Sequence, residues 1–150
     1  MYSVCLRILN DEHEAEDIMQ EAFLKAFRKI STYQGTVSFG AWLKKIVINR
    51  SLDQLKKRKV KFEEVDSKVF QLPYDDESYN EVDVERIKEA IRGLPDNYRT
   101  ILSLHLIEGY DHEEISQILG ISNSASRTQY SRAKSKLREL LRGKEIYIYN

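Results

Sequence analysis

The chain has a single cysteine, only two prolines and six glycines, and no apolar run approaching a bilayer span. Cys5 alone excludes an internal disulfide and a thiolate zinc cluster, and so sparse a cysteine usage fits a reducing compartment. The longest apolar runs, such as Ile46-Val47-Ile48, fall far short of the about 20 residues that cross a membrane. The N-terminus has neither the basic start nor the apolar core of a signal peptide, so a cytoplasmic chain with no membrane insertion is expected. Catalytic groups are equally sparse. His13, His105 and His112 are scattered, no glycine-rich phosphate loop is present, and Cys5 lies in an apolar helical segment with no base nearby. The residues therefore point away from an enzyme, and no metal or cofactor is expected.

Net charge is missing too, because 24 Lys and Arg balance 24 Asp and Glu. The balance hides a segregation. Residues 1–61 carry 12 basic and 7 acidic side chains, residues 62–89 carry 3 and 10, residues 90–121 carry 2 and 5, and residues 122–150 carry 7 and 2. Two basic blocks thus flank an acidic middle, which restores nucleic acid as a candidate partner. The 150 residues can hold two small helical domains, since units of about 55–65 residues fold unaided.

Between its few glycines and prolines the chain repeats apolar residues at helical spacing, so an all-α fold is predicted. Residues 1–10, with Tyr2, Leu6 and Leu9 in phase, read as a helix. Residues 14–31 place Ile18, Met19, Ala22, Phe23, Ala26, Phe27 and Ile30 on one stripe, leaving Glu16, Asp17, Gln20 and Glu21 on other faces. The periodicity is lost from Ser31 to Ser38, which predicts a loop. It returns in a helix over about 39–58, with Phe39, Trp42, Leu43, Ile46 and Val47 as its apolar face. That phase favours core packing for Trp42 over a role as a stacking platform.

From Phe62 to Asp83 the sequence is acidic and weakly periodic, as in a solvated linker, and the domain boundary is placed there. A helix over Val84–Arg92 follows. Another starts at Pro95, which suits a first helical turn, and carries Tyr98, Ile101, Leu102 and His105 on one face before ending at Gly109. In the final tail, residues 143–150, the stretch from Glu145 to Asn150 alternates like a strand without a visible partner and reads as a frayed end.

The stretch from Asp111 to Ser122, followed by a basic helix from about Asn123 to Arg142, has helix-turn-helix spacing. Asp111 and Glu114 have capping-box spacing, Gly120 permits the tight turn, and Ile115, Ile118 and Leu119 face inward with Ile121 plugging the angle. Ser122 or Asn123 caps the second helix. Its apolar stripe is read as Ala125, Tyr130, Ala133, Leu137 and Leu140, which directs Arg127, Gln129, Ser131 and Arg132 outward. Arg and Gln read purine edges in the major groove, while Lys134, Lys136 and Arg138 suit phosphates.

The phrases Ala15-Glu16-Asp17-Ile18-Met19-Gln20-Glu21-Ala22-Phe23, Tyr33-Gln34-Gly35 and Phe39-Gly40-Ala41-Trp42-Leu43, with Asn49, resemble region 2 of extracytoplasmic-function sigma factors. Leu94-Pro95-Asp96-Asn97-Tyr98-Arg99, Glu114-Ile115-Ser116, Leu119-Gly120-Ile121-Ser122 and Arg132-Ala133-Lys134 resemble region 4 of the same family. The resemblance covers residues 1–61 and 84–142 in the family's order. It implies two small helical domains joined by the acidic linker of residues 62–83, and a chain that directs core RNA polymerase to promoter DNA.

By the same resemblance, Glu16, Asp17, Gln20 and Glu21 are expected to bind core polymerase. Tyr33, Gln34, Asn49, Arg50, Lys56, Lys57 and Arg58, helped by Lys59, are expected to hold the unwound strand of the minus-ten element. Ser122, Asn123, Ser124, Ser126, Arg127, Gln129, Ser131, Arg132 and Lys134 are expected to read the minus-thirty-five element as duplex. An anti-sigma protein that clamps both domains is a further expected partner. Two departures stand out. Ser124-Ala125-Ser126 occupy positions where the family usually has glycine, threonine and valine, which implies different packing or promoter preference. The family also has a further helix before the position of Tyr2, whose lack is expected to uncover part of the first core. The residues alone leave one rival open, a dimeric helix-turn-helix regulator that binds closed operator DNA without polymerase.

Overall fold

The structure, a computed structural model, describes residues 1–58 and 84–148, with side chains through residue 142. It divides into two compact units, Met1–Lys61 and Phe62–Asn150, and among the described residues every regular element is helical. The acidic stretch expected as a linker over 62–83, and Lys59, lie outside the described residues.

The first unit packs α1 (Tyr2–Leu9), α2 (Glu12–Lys29) and α3 (Phe39–Lys57) against one another. Asn10, at φ 53°, ends α1 in the left-handed conformation, and its N–H reaches Leu6 O at 2.7 Å. Asp11 then starts α2 by accepting the Glu14 N–H at 2.9 Å. Arg58 ties this corner to the end of α3, donating to Leu9 O at 2.7 Å and pairing with Glu14.

The core consists of Val4, Cys5, Ile8 and Leu9 from α1, Ala15, Ile18, Ala22 and Ala26 from α2, and Leu43, Val47, Ile48, Leu52 and Leu55 from α3. Two sequence expectations are corrected here. On α2 the buried stripe is narrow and mostly alanine, which lets the helices approach closely. Phe27 is therefore left 71% exposed and Ile30 51% exposed, while Met19 and Phe23 are half-buried. On α3 the inward direction runs through Leu43, Val47, Ile48, Ser51, Leu52 and Leu55, so Phe39 and Trp42 fall outside the core. Ser51 is buried with its donor satisfied, since its hydroxyl donates to Val47 O at 2.9 Å.

The second unit contains α4 (Val84–Arg92), α5 (Asp96–Leu102), α6 (His112–Leu119) and α7 (Asn123–Ile148). Pro95 occupies the N-cap of α5. Arg99, 2% exposed, donates to Leu94 O at 2.9 Å and pairs with Asp96, closing the α4–α5 corner from inside. The helix predicted to continue to Glu108 instead widens into a π turn over Ser103–Ile107, where the Glu108 N–H reaches back to Ser103 O at 2.9 Å. Gly109, at φ 78°, ends this run in a conformation that a side chain would strain. The core comprises Ala90, Ile91, Leu94, Ile101, Leu102, Leu104, Ile115 and Ala133. Helix α7 continues to Ile148, so most of the tail expected as a frayed end is helical.

Candidate nucleic-acid interface

The turn between α6 and α7 is built by local side-chain bonds. Asp111 Oδ1 accepts the Glu114 N–H at 2.7 Å, and Glu114 Oε2 accepts the Asp111 N–H at 2.9 Å, a reciprocal capping box. Gly120, at φ 69°, ends α6, and Ser122 Oγ accepts the Ala125 N–H at 3.0 Å to start α7. Ile115 is fully buried, with Ile118, Leu119 and Ile121 half-buried around it.

The first turns of α7 expose Ser122, Ser124, Arg127, Thr128 and Ser131, with Asn123, Arg132 and Lys134 half-buried at the margins. Thr128 was missed in the sequence reading, although its spacing from Ser124 and Ser131 places it on the same face. Arg127 is oriented: its Nε donates to Asn123 Oδ1 at 2.7 Å, and Asn123 Nδ2 donates to Glu113 Oε2 at 3.1 Å. Lys134 Nζ lies 4.8 Å from the centre of the Tyr130 ring.

Ser126 and Gln129 do not share this face. They are 0% and 5% exposed, because the buried direction of α7 runs through 126, 129 and 133 rather than through Ala125 and Tyr130. The outward orientation expected for Gln129 is corrected, and Ser126, expected beside it among the DNA-reading residues, is buried as well; the signal lay in their spacing from Ala133. Ser126 Oγ meets His112 Nδ1 at 2.8 Å, and Gln129 Oε1 is buried with no hydrogen-bond partner. The His105 and His112 rings stack, and both pack edge-on against Tyr130. Burial, then His105 and Arg127, hold His112 below its ordinary value against the opposing pull of Asp111, with Lys134 adding to the lowering. Burial also raises the Tyr130 phenol, an effect opposed by Arg138.

In the first unit, the loop 33–38 folds over an aromatic cluster at the start of α3. Tyr33 OH donates to Val37 O at 2.5 Å, and Ser38 Oγ accepts the Ala41 N–H at 3.1 Å to cap the helix. The Tyr33 ring centre lies 5.7 Å from that of Phe39 and 5.4 Å from that of Trp42. Phe39 and Trp42 are 5.6 Å apart. Trp42 is thus a half-buried member of a surface cluster, and Gln34 is exposed beside it.

Farther along α3, Asn49, Lys56 and Lys57 are exposed. Arg50 and Arg58 are held by carboxylates of α2, Arg50 by Glu21 and Arg58 by Glu14. Glu16, Asp17, Gln20 and Glu21 lie exposed on α2, and the same face continues through Leu24, 58% exposed, to Phe27. Helical phase places Phe27 on the core stripe and leaves Leu24 without a signal of its own, yet both are exposed neighbours of this polar face. Among the described residues no three His, Cys, Asp or Glu side chains are gathered to hold a metal, and no helix is long and apolar enough to cross a membrane.

Comparison with known proteins matches residues 1–60 to sigma-70 region 2 and residues 84–137 to sigma-70 region 4. The chain is 32% identical to the ECF RNA polymerase sigma factor SigW of Bacillus subtilis, covering 95% of this chain and 83% of SigW. It is 30% identical to the ECF sigma factor SigE of Mycolicibacterium smegmatis, covering 94% of this chain and 57% of SigE. Among solved structures it is similar to RpoE of Bartonella quintana, solved in complex with the anti-sigma factor NepR. That similarity has a TM-score of 0.65 at 24% identity and covers 94% of this chain and 89% of RpoE. CnrH, solved in complex with the cytosolic domain of CnrY, gives 0.58 at 20% identity, covering 95% and 80%. A transcription-initiation subunit is the class these two helical units define. The chain belongs to the extracytoplasmic-function sigma factors of the sigma-70 family.

Proposed function

We propose that the first unit docks on core RNA polymerase and captures the unwound minus-ten strand, while the second reads the minus-thirty-five element as duplex. The observation that carries this reading is the exposed face of Ser124, Arg127, Thr128 and Ser131 on the first turns of a capped helix-turn-helix. A helix end of this kind fits the major groove, where the two terminal amines of Arg127 can bond guanine O6 and N7. Ser122, Asn123, Arg132 and Lys134 flank that face and suit sugar–phosphate contacts that fix register. Ser126 and Gln129 support it from behind.

For the single strand, the Tyr33–Phe39–Trp42 cluster offers aromatic surface to an unstacked base, and Gln34 and Asn49 offer amides to its edge. Lys56 and Lys57 supply phosphate neutralisation, joined by Arg50 and Arg58 where DNA displaces their carboxylate partners. For polymerase, Glu16, Asp17, Gln20 and Glu21 form a polar rim around the apolar centre of Leu24 and Phe27, the composition of a docking face. A subunit of this kind directs transcription without chemistry of its own, within the cytoplasm. The RpoE relative was solved with an anti-sigma factor, which supports an inhibitor of similar kind as a partner for this chain.

Titration of the chain with core polymerase, followed by run-off transcription from genomic fragments, tests the reading. Co-migration with core and new start sites are expected. Tight promoter binding by the chain alone, without polymerase, would replace it with the independent-regulator reading.

A further inference from the structure

We infer that Glu113 is a positioning residue for promoter recognition, acting through Asn123 to hold Arg127 in the pose that reads a guanine. The inference rests on the proposed reading of the minus-thirty-five duplex by α7 and adds a residue of the preceding helix that makes no base contact itself.

The geometry is a relay across the helix-turn-helix. Glu113 lies exposed in the first turn of α6, and its Oε2 accepts from Asn123 Nδ2 at 3.1 Å. Asn123, the first residue of α7, uses its other amide atom, Oδ1, to accept from Arg127 Nε at 2.7 Å. Each donor and acceptor role is fixed by chemistry. A carboxylate can only accept and a guanidinium can only donate, so the Asn123 amide satisfies both neighbours in one orientation alone. The carboxylate and the guanidinium therefore hold the same amide orientation from its two ends, and without Glu113 the Asn123 side chain is anchored at one end only.

The consequence falls on the reading group. An unrestrained arginine at an exposed helix position samples many rotamers, and ordering it on DNA opposes binding. Here the Nε–H is engaged within the protein, and the planar group is thereby oriented while its Nη1 and Nη2 amines remain for O6 and N7 of one guanine. Preorganisation of this kind acts on discrimination between bases. The negative charge of Glu113 acts separately, since a carboxylate near phosphates weakens binding to every sequence alike.

Two substitutions separate the effects. Both Glu113→Ala and Glu113→Gln remove the charge, but only glutamine retains an oxygen acceptor for Asn123. The measurement is run-off transcription by holoenzyme on a promoter library randomised across the minus-thirty-five element, with Arg127→Ala alongside. Arg127→Ala is expected to lose its preference for guanine at one position by about tenfold or more. Glu113→Ala is expected to relax the same position by several-fold by raising use of promoters that lack the guanine, and Glu113→Gln to raise use of all promoters with the preference retained.

If Arg127→Ala relaxes a position that Glu113→Ala leaves intact, the relay is overturned and the base-reading role of Arg127 stands. If Glu113→Ala and Glu113→Gln lower use of all promoters equally, Glu113 acts on the fold and the relay is again overturned. If Arg127→Ala leaves every position unchanged, the reading of Arg127 fails, and the relay with it.

Discussion

His105 and His112 stack in the second unit with ring centres 4.5 Å apart and planes 17° from parallel, one from the π turn and the other from the start of α6. His105 Nδ1 lies 2.7 Å from Tyr110 O. A carbonyl only accepts, so this nitrogen carries the proton. The pair joins the core-forming α5 run to the helix-turn-helix, with Tyr130 closing the third side.

Acid is therefore expected to loosen this unit. The unfolded His112 takes up a proton near pH 6.5, while the folded ring resists protonation because its value is depressed. Stability is fully present above that value. It falls as pH drops through 6.5 towards the folded value, and levels off below it. Urea unfolding of the chain between pH 7.5 and 5.5 should show the loss, and His112→Gln should flatten it. An unchanged pH dependence in that variant would remove His112 as its source.

Gln129→Met is expected to stabilise the second unit by about 1 kcal/mol, because it replaces a buried acceptor lacking a partner with an apolar chain of similar shape. Promoter selection should be unchanged. Loss of selection with unchanged stability would return Gln129 to the DNA face.

Leu24→Ala and Phe27→Ala are expected to weaken core-polymerase binding by about 1–2 kcal/mol each. Both side chains are exposed, at 58% and 71%, so thermal stability should shift little. A large drop in melting temperature with unaltered polymerase affinity would contradict the docking face.

Cys5 is fully buried against Ser51, and burial pushes its thiol above the ordinary range. Alkylation by iodoacetamide should be slow in the native chain and rapid in urea. Equal rates in both would show that the first core opens readily.

The sequence was most legible where local chemistry decides the outcome. Asp111 with Glu114, Gly109, Gly120 and Ser122 all punctuate the second unit as their types and spacing require. Helical phase was less reliable at the edges of buried stripes. Phe27, Phe39 and Trp42 share the phase of the core, yet alanines on α2 and the aliphatic run on α3 fill the contact first. Ser126 and Gln129 failed in the opposite direction, since a polar residue on an inward stripe is indistinguishable by type from one facing water. The π turn left no local signal. It is visible in the bond from Glu108 to Ser103 and in where it places His105.

The division of labour between the two units is tested most directly by permanganate mapping of the transcription bubble together with minus-thirty-five selection in holoenzymes carrying Trp42→Ala or Arg127→Ala. The account predicts that Trp42→Ala reduces thymine reactivity in the bubble and leaves minus-thirty-five preference intact, and that Arg127→Ala does the reverse. Loss of bubble reactivity in Arg127→Ala at a promoter it still occupies, or altered minus-thirty-five preference in Trp42→Ala, would contradict it.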